Sequence, residues 1–234
     1  MSKAVFRFKS FSVVQEKSAM KIGTDGVLLG AWVKTENPTR ILDIGTGTGL
    51  ISLMLAQRYP KAQITAIEID SDSFEEAKYN FEESPFHERI SAMHRSLQKY
   101  DSPEKFDLIV SNPPFFELTH KQNSSRNTAR QQSELKFSDL IFHSEIQLKS
   151  DGKLAVIIPY NSEAEFLDLA EMYGLYPNKI THVKGNENAP FKRSLLLLSR
   201  IQTQPEISEL TLELSRNIYT EEYIALTRDF YLKF

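Results

Sequence analysis

From Arg40 onward, short apolar runs alternate with amphipathic stretches of helical period. The apolar runs at 40–44, 63–69, 90–94, 106–111 and 153–158 predict strands, and the stretches at 50–58, 73–81, 137–148 and 162–173 predict helices. Regular strand–helix alternation argues for an α/β fold with a mostly parallel sheet covered by helices. Late in the chain the pattern changes: 179–183 and 194–201 both read as strands with no helix between them, which predicts an antiparallel hairpin at one edge of the sheet. Ahead of the first strand, Gly23-Thr24-Asp25-Gly26 precedes an apolar run at 27–33. This predicts a short helix capped by Thr24 or Asp25.

The run Phe106-Asp107-Leu108-Ile109-Val110 ends in Asn112-Pro113-Pro114-Phe115. Neither proline has an N–H and each fixes φ near −65°, so the strand cannot go on pairing and the chain leaves the sheet with a stiff backbone. An amide side chain, a carbonyl and an aromatic face are thereby held together at the carboxyl edge of the sheet, where open α/β folds bind ligands. A planar, amine-bearing substrate suits such a corner. Residues 115–135 are polar and aperiodic, and a loop of that length within a compact domain is expected to be functional or mobile.

The strand at 40–44 leads into Asp43-Ile44-Gly45-Thr46-Gly47-Thr48-Gly49. A dinucleotide fingerprint reads G-x-G-x-x-G, whereas Leu50 stands here after a G-x-G-x-G run with an acid two residues ahead. No pyrophosphate turn is required, and a phosphate-free nucleoside cofactor becomes the better candidate. Glu68, near the end of the second strand, is placed where an acid can accept both hydrogen bonds of a ribose diol.

With 234 residues, 41% of them hydrophobic and 25% charged, the chain is expected to fold as one large globular domain. No apolar run approaches the ~20 residues that span a bilayer, and the charged start lacks a signal-peptide core. A cytoplasmic location is the expectation. Zero cysteines exclude disulfides and Cys-ligated metals, and the five histidines show no ligand spacing, so no metal is expected. A net charge of −3 offers no global attraction to nucleic acid. An RNA partner would need local clusters, and Lys3, Arg7 and Lys9 at the start and Lys121, Arg126, Arg130 and Lys136 after the Asn-Pro-Pro-Phe corner are the candidates.

Taken together, Asp43, the three glycines, Glu68 and Asn112-Pro113-Pro114-Phe115 resemble the class I S-adenosylmethionine-dependent methyltransferases. The resemblance implies a Rossmann-like, seven-stranded, mostly parallel sheet with an antiparallel edge hairpin and helices on both faces. It also implies that Asp43, Gly45, Gly47 and Gly49 wrap the methionine and ribose parts of S-adenosyl-L-methionine, with Glu68 on the ribose hydroxyls. The Asn-Pro-Pro-aromatic corner marks the branch acting on planar nitrogens: adenine N6, guanine N2 and the glutamine amide. The segments 19–32 and 219–231 are similar to the family that methylates adenine N6 beside the anticodon of tRNA1(Val), so that the resemblance runs nearly end to end. It implies an extension, residues 1–39, whose Lys21, Gly23, Thr24 and Asp25 close over the cofactor, ahead of a catalytic region, residues 40–234, with Asn112, Pro113, Pro114 and Phe115 as catalytic residues. Neither a protein partner nor a membrane is implied.

One departure concerns Ser96, which stands where relatives commonly carry an acid for the cofactor's adenine amine. A hydroxyl can still accept that hydrogen bond, without charge assistance, so somewhat weaker cofactor binding is expected. Phe115 is expected to stack on an extruded base. The competing readings are an RNA guanine-N2 methyltransferase and a protein glutamine-N5 methyltransferase. The second is disfavoured because 39 residues cannot supply the helical recognition domain that family carries. A non-enzymatic RNA-binding module is disfavoured by the intact Asn112 and glycines, and a nicotinamide enzyme by Leu50.

Overall fold

Residues 4–18, 21–114 and 135–233 are described by the structure, a computed structural model. In chain order the elements are β1 (Val5–Arg7), β2 (Ser12–Val14), α1 (Thr24–Trp32), β3 (Arg40–Ile44), α2 (Leu50–Arg58), β4 (Gln63–Glu68), α3 (Ser71–Glu82), β5 (Ile90–His94) and β6 (Phe106–Ser111). There follow α4 (Phe137–Gln147), β7 (Leu148–Pro159), α5 (Glu163–Met172), β8 (Tyr176–Asn186), β9 (Phe191–Ser199), β10 (Glu206–Ser215), β11 (Ile218–Tyr219) and α6 (Glu221–Thr227).

Side chains on a strand alternate between its two faces, and here both faces are buried. On β6 and β7, Leu108, Val110, Ala155 and Ile157 enter one core with α1, α2, α3 and the β1–β2 hairpin. Their neighbours Ile109, Leu154, Val156 and Ile158 enter a second core with Leu140 and Ile141 of α4 and Phe166 and Ala170 of α5. The strand order is β11-β10-β8-β9-β7-β6-β3-β4-β5. Pairings β7–β6, β6–β3, β3–β4, β4–β5 and β10–β8 are parallel; β7–β9, β8–β9 and β10–β11 are antiparallel. The expected Rossmann-like α/β layering with helices on both faces is present.

Two expectations need correction. The sheet has nine described strands rather than seven, and the β8–β9 hairpin is interior, because β10 pairs parallel with β8 and β11 closes the edge. The alternation Leu210-Thr211-Leu212-Glu213-Leu214 carries the signal for β10. Without β10, β8 would present a full row of unpaired backbone groups, whereas the edge is now blunted by a two-residue strand and by Glu206, Glu209 and Glu213. The second correction concerns α1, whose N-cap is Gly23 with no side-chain cap, so neither Thr24 nor Asp25 plays that part. The helix is held by burial instead: Leu28 and Leu29 are in the core, and the Trp32 indole N–H donates to Thr181 Oγ1 (2.8 Å).

The extension shares the main core. Phe8, Phe11 and Val13 of the hairpin region pack with Tyr223 and Phe230 near the chain end. Thr220 caps α6, accepting from Tyr223 N (3.2 Å). No described helix is long and apolar enough to cross a membrane.

Asp107 at the start of β6 ties down the start of β3. Its Oδ2 accepts from Thr39 N (2.9 Å), Thr39 Oγ1 (2.8 Å) and Arg40 N (2.8 Å), and its Oδ1 from Lys149 Nζ (2.6 Å). Burial pushes this carboxyl up, but Lys149, Thr39 and the backbone N–H groups outweigh it and hold the pKa at about 2. A folded pKa below the unfolded value contributes stability that is present above the unfolded pKa and lost as pH falls through the folded one. Asp107→Asn is therefore expected to cost about 1–2 kcal/mol at neutral pH, allowing for solvent screening. The gap from wild type should close as the pH falls from about 4 to about 2. Urea unfolding at a series of pH values checks this, and a pH-independent gap would refute the electrostatic account.

Candidate active site

The direction of winding reverses between β3 and β6: β3 is followed outward by β4 and β5, and β6 by β7. Connections leave such a switch point in opposite directions and open a crevice at the carboxyl ends of the strands. In this crevice lies a cleft of about 320 Å³, lined by residues 21–26, the loop residues 45–48, Leu50 and Ile51 of α2, and Asn112. The structure thus brings together Lys21, Gly23, Thr24, Asp25, Gly45, Gly47 and Asn112 of the expected site. Pro113 is buried and Pro114 exposed just beyond Asn112, the stiff exit expected of that corner. Phe115, Lys3, Lys121, Arg126 and Arg130 lie outside the described residues.

The loop between β3 and α2 takes left-handed backbone at Gly45 (φ 69°), Gly47 (φ 57°) and Gly49 (φ 85°). Gly49 is the most constrained, since a Cβ there would lie 2.4 Å from the Phe81 ring. Gly49 is also the N-cap of α2, and with no side-chain cap there the amino end of α2 is open toward the cleft, as is that of α1. Two helix amino ends at one cleft favour an anionic group.

Asp43, Glu68 and Gly49 stand behind the lining and hold it. Asp43 is fully buried; its Oδ2 accepts from Thr46 Oγ1 (2.6 Å) and Ser52 Oγ (2.7 Å), while its Oδ1 is buried with no hydrogen-bond partner. Burial raises its pKa to about 6, against the hydroxyl hydrogen bonds that lower it. Glu68, 8% exposed, accepts from Gly47 N (2.9 Å) through Oε2 and from Ile69 N (2.8 Å) and Asp70 N (2.9 Å) through Oε1. It pins the glycine loop to the end of β4. Ser96 is half-buried at the end of β5, next to Arg95, whose N–H donates to the Glu68 carbonyl (2.8 Å).

Several site residues were not evident in the sequence. Thr46, Thr48, Ile22, Leu50 and Ile51 line the cleft and could have been taken from their place between named motif residues. Arg193 had no such signal: its Nε donates to Asp25 Oδ2 (2.8 Å) from β9, 168 residues away in sequence. Lys21 is engaged by the protein, donating to the carbonyls of Gln15 (2.5 Å) and Glu16 (3.0 Å). Arg7 and Lys9 are not brought to the cleft. Lys9 Nζ donates to the Arg228 carbonyl (2.5 Å), in a region that meets Gln57 and Arg58 at the carboxyl end of α2, opposite the glycine loop. Among the described residues no group of three or more His, Cys, Asp or Glu could hold a metal ion.

The model of the methyltransferase small domain matches residues 7–182. A tRNA1(Val) (adenine(37)-N6)-methyltransferase of Flavobacterium johnsoniae is 51% identical over 98% of this chain and 100% of its own. The protein of the same name in Christiangramia forsetii is 46% identical over all of both chains. Among solved structures, a predicted O-methyltransferase from Agrobacterium tumefaciens superposes with a TM-score of 0.69 at 20% identity, covering 88% of this chain and 96% of that one. An O-methyltransferase from Brevibacillus brevis in complex with S-adenosyl-L-homocysteine gives 0.52 at 14% identity, over 74% and 70%. The structural likenesses bear out the fold, and the matched domain and the near-complete, high-identity relatives place this chain in the family of the tRNA1(Val) (adenine(37)-N6)-methyltransferases, within the methyltransferase small domain proteins.

Proposed function

We propose that this protein transfers a methyl group from S-adenosyl-L-methionine to N6 of adenosine 37 in tRNA1(Val), with the cleft between β3 and β6 as its active site. The observation that carries the reading is the meeting, in one cleft, of Asn112 with the glycine loop: an acceptor for an amine stands beside a nucleoside-sized site. The donor set fits the cofactor's amino-acid end. The open amino ends of α1 and α2 suit a carboxylate, and the Asp43 carboxyl behind the lining, its Oδ1 unpartnered, favours an ammonium in the cleft. Glu68 and Ser96, at the ends of β4 and β5, are the candidates for the ribose and adenine parts.

S-adenosyl-L-methionine supplies, when bound, an electrophilic methyl group on a sulfonium. Adenine N6 is a poor nucleophile because its lone pair is delocalised into the ring. The Asn112 side-chain oxygen and the Pro113 carbonyl accept the two N–H groups of that amine, favour a pyramidal nitrogen and aim its lone pair. Pro113 and Pro114 hold both acceptors rigid, which is what makes positioning effective. The same acceptors stabilise positive charge that builds on the nitrogen, so no dedicated base is required before methyl transfer. Phe115 provides a stacking face for the extruded base. Lys121, Arg126 and Arg130 are the candidates for phosphate contacts on the anticodon loop, and the cytoplasm, where tRNA is modified, is the proposed location.

The test is transfer of labelled methyl to unmodified total tRNA, followed by digestion to nucleosides. N6-methyladenosine confined to one valine tRNA is expected, and N2-methylguanosine would move the protein to the guanine branch. Asn112→Ala is expected to lower kcat by about 10²–10³-fold while cofactor affinity stays within a few-fold; retained turnover would sink the proposed clamp. Asp43 gives a pH signature. An ammonium in the cleft near this carboxyl favours the carboxylate and lowers a pKa that starts at about 6, so cofactor binding near that pH releases a proton. Affinity should therefore rise as pH climbs through about 6 and level off above it. Calorimetry in buffers of different ionisation enthalpy measures the release, and Asp43→Asn should abolish it.

A further inference from the structure

Successive backbone N–H groups of residues 16, 17 and 18 converge on one carboxylate, that of Glu76 on α3. Its Oε2 accepts from Glu16 N and from Lys17 N (2.7 Å), and its Oε1 from Ser18 N (3.1 Å). Glu76 is 4% exposed, so these charge-assisted hydrogen bonds are shielded from competing water. One turn further along α3, the buried Asn80 amide joins two separate segments. Its Oδ1 accepts from Val14 N (2.8 Å), and its Nδ2 donates to the carbonyls of Val14 (2.9 Å) and Thr48 (2.8 Å).

Thr48 belongs to the glycine loop, and the strap running from residue 14 continues into the cleft-lining residues 21–26. The strap also closes on itself, since Ile22 N donates to Gln15 Oε1 (2.8 Å) and Lys21 Nζ reaches the carbonyls of Gln15 and Glu16. The glycine loop and the segment that leads to residues 21–26 are thus bonded to one face of one helix. Neither Glu76 nor Asn80 lines the cleft itself.

We infer that Glu76 and Asn80 are positioning residues that set the width of the cofactor cleft by clamping the strap and the glycine loop to α3. The inference rests on the reading of this cleft as the S-adenosyl-L-methionine site. A free strap would have to be ordered at each binding event, and that ordering cost would be subtracted from cofactor affinity. A built-in carboxylate meets it during folding instead. Because the clamp acts on the cofactor's wall and not on Asn112, it bears on binding of the cofactor and leaves the chemical step alone.

The test compares wild type with Glu76→Gln, in which an amide N–H₂ group replaces one acceptor oxygen and faces a backbone N–H. The control is Glu75→Gln, at the exposed neighbouring position. The dissociation constant for S-adenosyl-L-homocysteine by calorimetry and the KM for S-adenosyl-L-methionine are expected to rise about tenfold in Glu76→Gln, with kcat at saturating cofactor and KM for tRNA within about twofold of wild type. Trypsin should cleave at Lys17 or Lys21 faster in this variant than in wild type. Gln15→Ala, which loosens the strap without touching α3, should shift the same two constants in the same direction and provides the reading if Glu76→Gln does not fold. Unchanged cofactor affinity in both variants, or a fall in kcat with KM unaltered, would overturn the clamp. Failure of wild type to bind S-adenosyl-L-homocysteine at all would remove the cofactor reading and the clamp with it.

Discussion

Strands β3 and β6 run side by side with hydrophobic core on both faces, and along their length there is no place for polar chemistry. Polar groups are confined to the strand ends, and at the carboxyl end the reversal of strand order opens the crevice that receives them. Asp43 shows how tight this constraint is. It is the last polar side chain inside β3, fully buried, and it keeps its place by binding the hydroxyls of Thr46 and Ser52 across the turn it precedes. The raised pKa and the orphaned Oδ1 both follow from that burial.

The same constraint explains the structural work done by Glu68. With three left-handed glycines, the loop after β3 has little side-chain packing to hold it, and its backbone needs partners. Glu68 meets that need at Gly47, while the Ile67 carbonyl accepts from Gly45 N (2.9 Å) and Thr46 N (3.2 Å). The loop is therefore moulded on the end of β4, and Phe81 of α3 closes in over Gly49. The cleft thus has a hydrogen-bonded backbone loop along one side. Residues 21–26 add to the lining of the cleft, and Phe8, Phe11 and Val13 share a core with Tyr223 and Phe230, so the first and last segments of the chain are packed into one fold.

Much of this was legible in the chain itself. Residues 40–44, 90–94 and 106–111 read as strands with the bounds the structure has, because their apolar runs are short and bounded by polar or turn residues, Gly45 and Pro113 among them. The glycine loop and the Asn-Pro-Pro corner stand out in the chain because special backbone demands special residues. The strand β10 was missed although its leucines alternate, since a strand of period two with three glutamates looks like surface until the unpaired edge of β8 is seen. The capping expectation for Thr24 and Asp25 failed because residue type says which side chains can cap, while the direction of the incoming chain says whether they do.

Sequence by itself determined the layered α/β architecture, the position of the loop and corner in the chain, and the family, because each depends on local period, on glycine and proline stereochemistry, or on likeness. Only the tertiary structure decided which residues share the cleft and which hold it. Arg193 meets Asp25 across 168 residues, Glu76 gathers the strap, and Lys9 goes to the Arg228 carbonyl near the far end of α2 in place of the cleft. The reason is physical: a backbone N–H or a carboxylate has no preferred partner in sequence. Its partner is whatever the packing of distant elements leaves within about 3 Å.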